Sequence, residues 1–86
     1  MKLKTHGDNI NEVIFSNGNS LLFSYETPVA AYVHGVGFYR TSYAWSSTTT
    51  RHINKWLKKV GNGDAKQKPQ DWFSYMGANN GIPVEN

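Results

Sequence analysis

The 86-residue chain contains no cysteine. Disulfides, thiolate nucleophiles and cysteine-ligated zinc are therefore excluded. The absence fits a reducing interior without establishing one. Long apolar runs are missing too. No stretch approaches the roughly 18–20 residues that a membrane helix requires, and the opening MKLKTHGDN lacks the apolar segment of a signal peptide. A cytosolic protein without a membrane partner is the expectation. Acids are sparse, six Asp and Glu against nine Lys and Arg, for a net charge of +3. They are scattered, so no carboxylate pair can be argued for acid–base chemistry. The three histidines, His6, His34 and His52, have no His or carboxylate at a ligand spacing such as i+4 on a helix. No metal site and no cofactor is expected. A glycine-rich phosphate loop is also absent, because Gly35-Val36-Gly37 is too short and precedes a strand.

What the chain does carry is basic charge beside aromatic rings. Arg51, Lys55, Lys58, Lys59, Lys66 and Lys68 fall between residues 51 and 68, with Asp64 the only acid among them. Aromatics make up 14% of the chain. That pairing suits nucleotides or nucleic acids. It equally describes a small core filled with aromatics and a solvated lysine face. One domain of this length buries roughly 60–65% of the surface its unfolded form exposes. Self-association would extend that burial, so a homo-oligomer is expected.

The pattern along the chain is α+β. NEVIFS, then Asn17-Gly18, then SLLFSY predicts a hairpin with a type I′ turn. Pro28 belongs at a strand start or an edge. VAAYVH and FYRTSY, separated by Gly35-Val36-Gly37, supply two further strands, and Lys2 to Thr5 could add a short first one. The result is an antiparallel meander of about four strands over residues 2–43. The period then changes. Ile53, Trp56, Leu57 and Val60 lie at i, i+3, i+4 and i+7, which predicts a main amphipathic helix over about 48–60. Residues 61–68 read as a polar loop. A short helix over 69–76, opened by Pro69, would bury Trp72, Phe73 and Met76 and close the edge of the sheet. Residues 77–86 read as a loose tail.

The start of the main helix is the feature that invites a function. Ser46, Ser47 or Thr48 can cap it. The Glu or Gln of a capping box is missing. Arg51 and His52 occupy the first turns, where positive charge is disfavoured. Uncomplemented N–H groups on Ser47, Thr48, Thr49 and Thr50, with Arg51, His52 and Lys55, describe an anion site. Tyr39, Tyr43 and Trp45 precede it and could stack on a base. The alternative is that capping is complete, Arg51 extends into water and the rings belong to the core. Catalysis is not expected. Thr50 and His52 are i,i+2 neighbours that do not face each other on a helix. A catalytic centre, if present, would be His52 with Arg51.

SYETPVAAYVHGVGFYRTSYAWSSTTTRHINKWL, followed by PQDWF, resembles a group of small uncharacterised proteins common in bacteriophage genomes. Their pattern is an SYxTPVAA segment, a hairpin, then SxTTx[RK]HINxWL and a Pro-x-x-Trp/Phe element. The resemblance covers about residues 22–75. It implies a phage origin, action in the host cytosol, and no transferable catalytic residue. It directs attention to Tyr25, Thr27, Pro28, Thr49, Thr50, Arg51, His52 and Asn54.

Three functions follow as expectations. The first is a non-catalytic protein that captures a phosphate-bearing small ligand, in its concrete form a nucleotide immune signal sequestered in counter-defence. The second is a nucleic-acid-binding module that uses the basic helix face. The third is an inhibitor that docks this face on a host protein.

Overall fold

The first 41 residues form five strands, each antiparallel to the one before. The computed structural model describes residues 1–61 and 63–84. β1 (Lys2–Gly7), β2 (Ile10–Ile14), β3 (Ser20–Ser24), β4 (Thr27–Val33) and β5 (Gly37–Thr41) form the meander. α1 (Ser47–Val60), β6 (Lys66–Lys68) and α2 (Gln70–Ala78) follow. The expected α+β class stands, with six strands in place of about four. β6 pairs parallel to β5, Tyr39 opposite Lys66, and so makes the sheet mixed. Parallel neighbours need a crossover connection, and α1 supplies it. Residues 61–68 are therefore not simply a loop. The strand within them reads Lys-Gln-Lys at a sheet edge, so no apolar period marks it.

The hairpin between β2 and β3 forms, but its turn is not type I′. That turn needs positive φ at both central residues, and only Gly18 has it, at 92°. Asn17 instead accepts the Asn19 N–H through Oδ1 at 2.9 Å. Pro28 lies inside β4, opposite Phe23, where the register shifts between Leu22 and Phe23. A bulge is the place where an internal strand tolerates a residue with no N–H to donate.

Side chains of adjacent strand residues leave on opposite faces. Leu22 and Ala30 meet Ile53, Trp56 and Leu57 of α1. Leu21 and Ala31 meet Trp72, Phe73 and Met76 of α2. All four of these strand residues are fully buried. The central strands are thus apolar on both sides and need a helix on each. α2 covers the second face of the sheet, which corrects the expectation that it closes an edge. Val60, expected in the buried stripe of α1, is 38% exposed.

The segment after α2 is tied down. The Gly81 N–H donates to the Met76 carbonyl at 2.9 Å, and the Gly81 carbonyl accepts from Asn19 Nδ2 at 2.7 Å. Trp72 Nε1 donates to the Val84 carbonyl at 3.2 Å. The expected loop at 61–68 and tail at 77–86 also include Asn62, Glu85 and Asn86, which lie outside the described residues.

Candidate functional site

α1 begins where its hydroxyls predict. Ser46 is the N-cap, with extended backbone and its Oγ accepting the Thr49 N–H at 3.3 Å. Its carbonyl accepts the Thr50 N–H at 3.1 Å. No acid lies in the first turn. The N–H groups of Ser47 and Thr48 have no acceptor among the described residues, and the helix dipole adds partial positive charge there.

Thr49 points inward and is buried, so it does not face a ligand. It instead starts the positioning of His52. The Ser46 hydroxyl donates to Thr49 Oγ1 at 3.4 Å. Thr49 Oγ1 lies 3.1 Å from Ser24 Oγ, and Ser24 Oγ lies 2.9 Å from His52 Nδ1. A chain of hydroxyls that begins at Ser46 runs on most simply with Thr49 donating to Ser24 and Ser24 donating to Nδ1. The neutral ring then carries its proton on Nε2. No group among the described residues accepts that proton. Burial first, then the charges of Lys55 and Arg51, hold the His52 imidazole below its ordinary pKa of 6.5. With donation in that sense the ring is an oriented donor through Nε2.

Ser24 comes from the last position of β3, and the residue after it is the other contribution of that hairpin. Tyr25 opens a two-residue turn, since Ser24 pairs with Thr27 across it. Its φ is 58°, in the left-handed region where glycine is preferred. The residue is 53% exposed, and its ring centroid lies 6.0 Å from that of His52 at an interplanar angle of 39°. The Tyr25 N–H donates to the Asn9 carbonyl at 2.8 Å, which joins this turn to the one between β1 and β2. Lys55 reaches the same neighbourhood, its Nζ lying 3.9 Å from where a Cβ on Gly7 would stand. Arg51 is exposed and makes no hydrogen bond or ion pair among the described residues. Thr48, Arg51, His52 and Lys55 follow one another at i, i+3, i+4 and i+7, a single stripe of α1.

The other predicted residues divide. Ser47 and Thr50 are exposed on the first turn. Tyr39 is on the opposite face of the sheet. Its ring packs on Trp72, centroids 4.9 Å apart, with Lys68 Nζ 5.7 Å from its centre. It therefore cannot share a ligand with Arg51. The alternation rule separates it, since Arg40 next to it turns to the α1 side and donates to Asn54 Oδ1 at 3.0 Å. Tyr43 and Trp45 stack edge-on at 4.6 Å in the segment that crosses from β5 to α1. Trp45 Nε1 donates to Gln70 Oε1 at 2.9 Å, which ties it to the start of α2. No hydrogen bond or ring contact among the described residues joins either side chain to Arg51 or His52. Ser24 and Tyr25 open the SYxTPVAA segment, Tyr25 as its aromatic just before the strand break, but nothing in the sequence joined Ser24 to the start of α1.

Residues 1–75 match one family model. The chain belongs to DUF8033, a family of unknown function. The match runs from β1 into α2, so the Ser24–Tyr25 turn and the whole α1 start of this DUF8033 chain lie inside it. No curated protein and no solved structure matches the chain. No group of three His, Asp or Glu side chains could hold a metal ion among the described residues. No described helix is long and apolar enough to cross a membrane.

Proposed function

We propose that this DUF8033 chain is a non-catalytic binding protein that captures a phosphate-bearing ligand of nucleotide type at the start of α1. One observation carries the reading. The hydroxyl chain Ser46–Thr49–Ser24 aims the His52 Nε2–H outward beside the unengaged Arg51 guanidinium and free helix N–H groups. Arg51 grips phosphate oxygens in pairs, His52 and the N–H groups of Ser47 and Thr48 donate to them, and Lys55 adds charge one turn on. Tyr25 takes the stacking role, because its ring is exposed and beside His52, whereas Tyr39 is committed to Trp72. In a phage-encoded protein of this kind, sequestering a nucleotide immune signal in the host cytosol would serve counter-defence. A homo-oligomer would deepen the site, which on one subunit is open.

Native mass spectrometry with a pool of mono-, di- and cyclic nucleotides tests this reading. The expected result is a discrete added mass per subunit or per dimer that disappears in Arg51→Ala, with the melting temperature of that variant within about 4 °C of the parent, since surface changes cost within about 0.5 kcal/mol. Retention of the adduct by Arg51→Ala refutes the site. Binding to DNA alone, with a steep salt dependence, would favour the nucleic-acid reading.

A further inference from the structure

We infer that the open edge of β1, away from the start of α1, is a docking site for an extended acidic peptide segment, which adds a strand to the sheet with its acids beside Lys2 and Lys4 and an apolar residue beside Leu3. β1 is the first strand in the sheet order and pairs with β2 alone. An antiparallel neighbour engages the N–H and C=O groups of alternate residues, so the other residues of β1 point theirs outward. No hydrogen bond among the described residues meets those groups. The opposite edge, β6, has three residues. β1 has six, of which Lys2 to Thr5 are all exposed. The bulge between Thr5 and Gly7 ends the regular register, so residues 2–5 are the length open to pairing. A polypeptide matches such an edge, because its backbone repeats donors and acceptors at the strand spacing. A nucleic acid offers no such repeat.

Side chains decide which polypeptide. Lys4 stands opposite Glu12, whose Oε1 accepts from Trp56 Nε1 of α1 at 3.2 Å. Lys2 and Lys4 therefore leave the strand on the α1 side. Lys59 comes to the same side, its Nζ 3.3 Å from Nδ1 of His6 in β1. Leu3 leaves on the α2 side, in one row with Val13 and Leu21. Leu21 is fully buried against α2, Val13 is half-buried and Leu3 is 71% exposed. The row loses its cover toward the edge, and an apolar side chain of a guest strand would continue that cover over Leu3. The surface thus asks for acids at alternate positions with an apolar residue between them.

The same residues oppose a second copy of this chain. Two copies paired antiparallel about a two-fold axis keep like faces on one side of the joined sheet. Lys2 and Lys4 of one would then stand against Lys2 and Lys4 of the other. Like charges directly opposite are destabilising, and opposite charges are stabilising. Lysines and bulges ordinarily guard an edge against indiscriminate pairing. At β1 the lysines exclude copies of itself and basic strands, and they admit an acidic one.

Proton–nitrogen NMR titration of the full chain with the acetylated, amidated peptide Glu-Val-Glu-Val-Glu tests this, beside Lys-Val-Lys-Val-Lys and an oligothymidylate. The acidic peptide is expected to give saturable shifts at the amides of Lys2 to Thr5 and to slow their exchange with solvent. The basic peptide should bind at least about ten-fold more weakly. Lys2→Glu combined with Lys4→Glu is expected to reverse that preference. No saturable shift at these amides, equal affinity for the two peptides, or an equal response to the oligothymidylate overturns the proposal. Shifts at Lys2 to Thr5 that grow with protein concentration alone would place a second copy on the edge and overturn it as well. If the double variant does not fold, the comparison of the two peptides on the unaltered protein still decides. Arg51→Ala is expected to leave the peptide shifts in place, so this test and that of the phosphate site fail independently.

Discussion

Removing one oxygen, in Ser24→Ala, separates a positioned His52 from an incidental one. Ser24 is 2% exposed and joins Thr49 and His52 through contacts of 3.1 and 2.9 Å. A net hydrogen bond contributes about 0.5–1.5 kcal/mol, and a buried group left without a partner costs about 1–3 kcal/mol. Thr49 keeps Ser46 as a partner, so its loss belongs at the low end. His52 is half-buried and can turn part of its ring to water. The sum is about 1–2.5 kcal/mol. At about 4–8 °C per kcal/mol for a domain of this size, the melting temperature should fall roughly 4–20 °C. The sharper readout is nitrogen NMR of His52. The parent should show the neutral ring protonated on Nε2, and Ser24→Ala should show a mixture of tautomers. Affinity for a nucleotide should drop about three- to ten-fold, up to about 1.4 kcal/mol, because the Nε2–H is no longer held outward. A parent protein protonated on Nδ1 refutes the reasoning outright, since Nε2 would then accept and repel a phosphate oxygen. An unchanged tautomer in Ser24→Ala refutes it equally.

Two other perturbations bear on the same end of the molecule. Tyr25→Gly should raise stability by about 1 kcal/mol, because glycine adopts a φ of 58° without the cost a side chain carries. It should at the same time weaken nucleotide binding by about 1–3 kcal/mol, the worth of one stacked base; loss of stability on this change would contradict the strain at Tyr25. The pH dependence has a definite sign. His52 in the folded protein titrates below its ordinary 6.5, from burial and then Lys55 and Arg51, so the unfolded chain binds that proton more readily. Its contribution is complete above about pH 6.5 and is lost as pH falls below it. Thermal scans from pH 7.5 to 5.5 should show this decline, and His52→Gln should flatten it. Glu12, held below 4.5 by its hydrogen bonds, contributes above that value and loses its contribution at lower pH.

The parts legible in the sequence were those set by a single strong period. The α1 stripe of Ile53, Trp56 and Leu57 is buried as its spacing requires, and the hydroxyls before it do cap the helix. What escaped reading depended on which of two faces a residue meets. SLLFS and VAAYV are apolar in succession, which a strand covered on both sides produces and which a one-sided meander does not. From that one property follow the second helix layer and the separation of Tyr39 from Arg51. β6 was invisible for the opposite reason, being a polar edge whose only evidence is its backbone pairing with β5. Ser24 opens the SYxTPVAA segment, but its role was hidden because its partners are 25 and 28 residues away.

The basic start of α1 remains the point where local rules are broken most often. An arginine near an uncomplemented N-terminus opposes the dipole, at about 0.3–1 kcal/mol. A tyrosine occupies a glycine position nearby, and two hydroxyls, those of Thr49 and Ser24, are buried beside one imidazole. These departures arise on separate elements, the β3–β4 turn and the first two turns of α1, and they converge around His52. Folding for stability alone would place an acid after Ser46 and a glycine at position 25, and would leave Ser24 apolar like its neighbours Leu21 and Leu22. Sequences keep such conflicts where something other than stability selects them. The lowered proton affinity of His52 fits that account. Arg51 and Lys55 help keep the ring neutral without a ligand, and a bound phosphate, by offsetting their charge, would raise its affinity for a second proton and strengthen the hold on the anion.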